Sequence, residues 1–183
     1  QNNTTGSYSV AIGYAALYAN TTASNNTAVG YQAGYSNDVG SKNTFVGTFA
    51  GLDFNPSSAL DSRHTFVGYT AGENVSTGTN NTFIGSDSGN QVTTGSSNTI
   101  LGRYNGNQGG LDIRTSSSNI VLSDGGGNPK LLINSNGDVT NGVGNVGGFD
   151  RTVQGTTLRA AGESLSVTRN GGTPLEINRG TDD

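Results

Sequence analysis

The chain has no cysteine, methionine or tryptophan, only three prolines and a single histidine among 183 residues. Without cysteine there is no disulfide framework, no thiolate metal site and no cysteine nucleophile. The one histidine, His64, is the only base a serine–histidine–carboxylate triad could use, and no serine stands in a G-x-S-x-G elbow. Charge is sparse and leans acidic: 9 Lys and Arg against 13 Asp and Glu give a net charge of −4 and a pI near 4.7. Nucleic acid selects basic patches, so no nucleic-acid partner is expected. Only 31% of residues are hydrophobic, and no run is apolar enough to cross a membrane as a helix. No secretory, transit or lipidation signal is visible. Gln1 and Asp183 read as the ends of a piece of a longer chain.

Glycine is abundant, at 30 residues, and Asn, Ser and Thr fill much of the remainder. Such a polar composition alone would suit a disordered chain. A strict internal period argues for order instead. SVAIG at Ser9, NTAVGYQAG at Asn26, NTFVGTFAG at Asn43, HTFVGYTAG at His64, NTFIGSDSG at Asn81 and NTILGRYNG at Asn98 are copies of one unit. Their central glycines, Gly13, Gly30, Gly47, Gly68, Gly85 and Gly102, are spaced 17, 17, 21, 17 and 17 residues apart. A short fixed period of this kind is the signature of a repeat architecture, and the reading is an all-β β-solenoid with one strand and its turns per coil.

Before each glycine stands an aliphatic residue (Ile12, Val29, Val46, Val67, Ile84, Leu101), and before that another apolar one (Ala11, Ala28, Phe45, Phe66, Phe83, Ile100). Neighbouring residues of a strand point to opposite faces, so each strand asks to bury both. One face can fill the coil. The other needs a partner, and self-association about an axis supplies it. Thr27, Thr44, Thr65, Thr82 and Thr99 begin the strands, where a β-branched residue is favoured. A second glycine (Gly34, Gly51, Gly72, Gly89, Gly106) and a small residue before it (Ala33, Ala50, Ala71, Ser88, with Asn105 as a looser case) suit tight turns. Asn26, Asn43, Asn81 and Asn98 recur at a turn position, and His64 takes that place once.

The 21-residue step places four extra residues around 52–61, a loop of the kind that often carries binding in solenoids. Within it Asp53, Phe54 and Asn55 are candidate surface contacts. Tyr31, Tyr35, Tyr69 and Tyr104 join them, because tyrosines beside Asn and Gln suit stacking on sugar rings. Asp53, Asp61, Glu73 and Asp87 are the carboxylates that could pair for glycan cleavage, but solvated turns explain them as well, and no enzymatic activity is expected. The segments Asp124-Gly125-Gly126-Gly127-Asn128 and Asn134-Ser135-Asn136-Gly137-Asp138 carry oxygen ligands but match no calcium loop. No cofactor and no metal are expected.

The SVAIG motif with its polar turn resembles the repeat of trimeric autotransporter adhesin heads of the YadA type. The longer NTAVGYQAG form is similar to fibre proteins of tailed bacteriophages, notably marine and cyanobacterial ones, and to adhesive fibres of predatory bacteria. The resemblance covers residues 9–106. It implies a left-handed parallel β-roll, three chains to a head, and a tail-fibre segment of a virion that attaches to a bacterial surface. Its implied partners are two further copies of the chain, a cell-surface glycan or outer-membrane component, and other tail or fibre proteins. The head of a bacterial surface adhesin is the alternative, and a polysaccharide-degrading tailspike the third.

Regular spacing stops after Asn107, giving an expected repeat domain over 1–108. A β-hairpin over 119–122 and 130–133 and a polar stretch over 140–148 form an expected connector over 109–148. Short strand candidates at 156–159, 164–169 and 175–179 make up a fibrous C-terminal segment over 149–183. LRAAGESLSVTRNGGTPLEINRG within it resembles the segment that precedes a self-cleaving chaperone in phage fibres and spikes. No chaperone-like or protease-like constellation accompanies it.

Overall fold

The computed structural model describes residues 3–56, 58 and 60–141. They form thirteen short strands and no helix. In chain order the strands are β1 (Val10–Ile12), β2 (Thr27–Val29), β3 (Gly40–Ser41), β4 (Thr44–Val46), β5 (Leu60–Asp61), β6 (Thr65–Val67) and β7 (Thr82–Ile84). Then follow β8 (Thr99–Leu101), β9 (Asn107–Gln108), β10 (Leu111–Asp112), β11 (Ile120–Ser123), β12 (Pro129–Ile133) and β13 (Val139–Asn141). One nine-stranded sheet runs β1-β2-β4-β6-β7-β8-β11-β12-β13, with the first seven strands parallel. Each repeat glycine sits one residue beyond its strand, and equivalent residues pair: Thr44↔Thr65, Phe45↔Phe66, Val46↔Val67. The chain is a β-solenoid of about six turns, as its period requires.

Three inward columns fill the coil. Ala28, Phe45, Phe66, Phe83, Ile100 and Val121 come from the strands and are fully buried. Their rings stack along the axis, with Phe66 and Phe83 centroids 5.0 Å apart and nearly parallel. Ala33, Ala50, Ala71 and Ser88 form the second wall. Phe54, Val75, Val92 and Ile113 form a third that the repeat alignment does not announce, since each stands alone among polar neighbours. Fully burying one such side chain is worth about 1.5–3 kcal/mol, and a thin coil depends on every one.

The central glycines are required twice over. At Gly68 φ is +141°, and an added Cβ would lie 2.2 Å from the Gly85 carbonyl oxygen of the next coil. At the second glycine, Gly72, φ is +62° and the Phe66 ring occupies the Cβ position at 2.5 Å. A buried ladder joins the coils at the remaining corner. Asn26 Oδ1 accepts the Asn43 N–H, Asn43 Oδ1 the His64 N–H and Asn81 Oδ1 the Asn98 N–H, each at 2.9 Å. Asn98 Oδ1 passes the ladder on to Asn119 N–H at 2.9 Å.

Leu52 and Asp53 keep their coil-to-coil bonds (Ser36 N–H to Leu52 O, Asp53 N–H to Glu73 O), so the long step leaves the regular path only beyond them. The parallel sheet runs on past residue 108. A second 21-residue coil follows, pairing Thr99↔Ile120, Ile100↔Val121 and Leu101↔Leu122. Its extra residues make the β9–β10 hairpin, turned at Gly109 (φ 62°) and Gly110 (φ 81°), the two positive values of a type I′ turn. The rung is hidden from the spacing because Ser123 replaces the glycine. The hairpin expected over 119–122 and 130–133 is present as antiparallel β11 and β12, but its first strand is this solenoid rung. Thr140, expected in a linker, pairs with Leu132 as part of β13. The strand candidates at 156–159, 164–169 and 175–179 lie outside the described residues.

Candidate recognition surface

Outward-facing residues come from two columns of each coil. The strand residue before the central glycine points away from the core, giving a continuous aliphatic stripe: Ile12, Val29, Val46, Val67, Ile84, Leu101 and Leu122. Ile12 is 60% exposed, Ile84 and Leu101 41% and Leu122 36%, while the valines are half-buried. The threonines that open the strands flank the stripe.

The next corner projects aromatic side chains. After the glycine the chain enters the left-handed region, as at Gln32 (φ 53°) and Phe49 (φ 60°), which swings the neighbouring side chains out. Tyr14 stacks on Tyr31 with centroids 5.4 Å apart and planes 12° apart. Tyr31 meets Phe49 edge-on at 5.4 Å, and Phe49 meets Tyr69 at 6.3 Å. A second pair, Tyr18 and Tyr35, stacks at 5.1 Å and 4°. Tyr31 and Tyr69 therefore share one corner and remain exposed, while Tyr35 belongs to the other stack. Because the stacked rings cover one another's faces, they offer a ligand their edges and hydroxyls more than a flat platform.

Two of the surface candidates are core residues instead. Phe54 is fully buried beside Phe45 and His64, because its backbone sits at the inward position of the third column. Tyr104 is fully buried as well. Gly89 N–H donates to Tyr104 O where Gly72 N–H donates to Ser88 O, so the sixth coil cuts its corner short and Tyr104 takes the inward place of Ser88. Its hydroxyl donates to Leu111 O at 2.9 Å, and burial followed by the Asp112 charge raises its pKa. Asp53 and Asn55 are exposed, as the loop reading expects.

The carboxylates divide between two places. Asp61 holds Lys42 (2.6 Å) and Arg63 (2.9 Å) on the surface. Asp53, Glu73 and Asp87 lie close enough to interact: burial first, then the charges of Asp53 and Asp87, raises Glu73 above its ordinary value. Burial alone would raise Asp87 too, but hydrogen bonds from Thr70 and Arg103 outweigh it and hold it low. The two Asx segments are turns. Asp124 Oδ1 accepts from Gly126 N–H (3.0 Å) and Asn128 N–H (2.9 Å), and Asn134 Oδ1 accepts from Asn136 N–H and Asp138 N–H.

A polar cleft of about 290 Å³ opens where the aromatic corner ends, lined by Asp87, Asn90, Arg103, Asn105, Gln108 and Gly126. No contiguous motif marks it, because its residues come from two coils and a distant turn. Its one signal in the sequence is Arg103, the only charged residue in a column otherwise made of Tyr14, Tyr31, Thr48, Tyr69 and Ser86. Comparison with protein-family models, curated proteins and solved structures gives no match in any of the three.

Proposed function

We propose that the chain is a structural and receptor-binding segment of a bacteriophage tail fibre, non-enzymatic and homotrimeric, that attaches the virion to a bacterial surface through glycan. The observation that carries this reading is the aliphatic stripe on the outer face of the strands. Seven rungs place an aliphatic residue there in register, so covering the stripe removes one coherent apolar surface from water. Cyclic self-association covers it on every copy with one interface, and the resemblance of the repeat to trimeric heads makes the number three. Three copies of each outward corner then act together, so weak single contacts gain avidity.

The test is the solution mass, with cell adsorption measured on the same preparation. Three chains of 18.6 kDa give a particle of about 56 kDa. Ile84→Asp combined with Leu101→Asp should yield a folded monomer that no longer adsorbs, because both side chains already face solvent within one chain. Phe66→Asp should prevent folding altogether, since it buries an unpaired charge. A wild-type chain that stays monomeric at high concentration overturns the proposal.

A further inference from the structure

We infer that the cleft between the fifth and sixth coils is a binding site for a single unit of a neutral sugar. This deepens the attachment reading and rests on it. Three of the wall side chains are polar and held in place. Arg103 Nε donates to Asp87 Oδ2 at 2.8 Å, Gln108 Nε2 donates to Gly126 O at 2.8 Å, and Asn105 Oδ1 accepts the Asn107 N–H at 2.9 Å. What these bonds leave over is a set of unused donors and acceptors: the Arg103 Nη groups, Asn105 Nδ2, Gln108 Oε1 and the side-chain amide of Asn90. Asn90 Oδ1 is shielded from solvent and accepts no hydrogen bond from the protein.

The charges select the ligand class. An anion is disfavoured, because the Arg103 guanidinium is already paired with Asp87, and Glu73 and Asp53 add negative charge nearby. A metal ion is disfavoured, because both Asp87 oxygens are engaged, Oδ1 by Thr70 Oγ1 at 2.8 Å and Oδ2 by Arg103. An apolar ligand would find no apolar wall among these residues. A neutral polyol remains: each sugar hydroxyl both donates and accepts, and planar amide and guanidinium groups bridge neighbouring hydroxyls. The volume lies just below the range of about 300–1,000 Å³ for pockets that take drug-sized ligands, which suits one ring. Fixed side chains spare the ligand much of the ordering cost, but an open, wet cleft keeps affinity low, with a Kd on the order of 1 mM.

The experiment is ligand-observed NMR on the whole chain with glucose, galactose, rhamnose and N-acetylglucosamine, and glucuronate as the acidic control. At least one neutral sugar should bind at millimolar strength, and Asn90→Ala and Asn105→Ala should each weaken it at least fivefold at unchanged solution mass and circular dichroism. Asp138→Ala, on a turn away from the cleft, should leave binding as it is. Three results overturn the inference: no response to any neutral sugar, a response to glucuronate alone, or neutral-sugar binding that both cleft variants leave intact. A trimer that adsorbs to cells but gives one of those results keeps the attachment reading and removes the cleft from it. Cleft-dependent sugar binding by a chain that neither trimerises nor adsorbs does the reverse.

Discussion

In the ladder that ties coil to coil, His64 does with a ring what its neighbours do with an amide. Its Nε2–H donates to Gly78 O at 2.8 Å and its Nδ1 accepts the Asn81 N–H at 3.3 Å, the same two bonds that Asn81 makes to Gly95 O and Asn98 N–H. The ring is wedged between Phe54 and Phe66, both 4.6 Å away. Burial pulls its pKa from 6.5 down to about 4, against the two backbone hydrogen bonds. The unfolded chain therefore takes up the proton first as pH falls. Stability from this site is complete above pH 6.5 and drains away toward pH 4, by about 3 kcal/mol in all. Urea unfolding at several pH values should show that slope, and His64→Asn should flatten it. Gly68→Ala should cost about 3 kcal/mol or more in the same assay, from a left-handed backbone and a blocked carbonyl. That His64 substitutes for an asparagine was legible from its place in the repeat. Its burial was not, because the ring's neighbour Phe54 comes from the irregular step.

Among the elements, the parallel rungs were readable because adjacent apolar pairs at a fixed period leave few alternatives to a coil. The third wall was not, since Val75, Val92 and Ile113 are single apolar residues whose inward direction depends on turn geometry. The seventh rung was masked by Ser123 and by the β9–β10 insertion, which broke the count just where the glycine also failed. Tyr104 links these two surprises: its ring completes the second wall and its hydroxyl tethers the hairpin at Leu111 O. Tyr104→Phe should lower stability by about 1–2 kcal/mol, the cost of leaving a carbonyl without its donor, with the solenoid otherwise intact. Thermal unfolding followed by circular dichroism measures it. A loss of the parallel sheet signal would mean that the hairpin holds the last rung rather than decorating it.

For the molecule as a whole, the two-faced strand was the most informative feature of the sequence, because it separates what the coil satisfies alone from what it leaves open. The inner face closes completely, as Phe45, Phe66 and Phe83 show, while Ile84 and Leu101 on the outer face do not. The polar cleft was not legible in the sequence, because chemistry assembled across coils leaves no contiguous motif. One further property follows from the direction of the coil-to-coil bonds. Thr44 N–H to His64 O, Gly47 N–H to Val29 O and their equivalents all lie along the stacking axis. Tension applied between the ends of a single chain would therefore peel coils off one at a time rather than shear the sheet at once. Pulling one chain between a surface and a cantilever should give a sawtooth. Each 17-residue coil should release roughly 50–55 Å and each 21-residue coil roughly 65 Å, from about 3.4 Å per residue less one rung spacing. Such a chain would give up its length in small steps under load and rewind them when the load is removed.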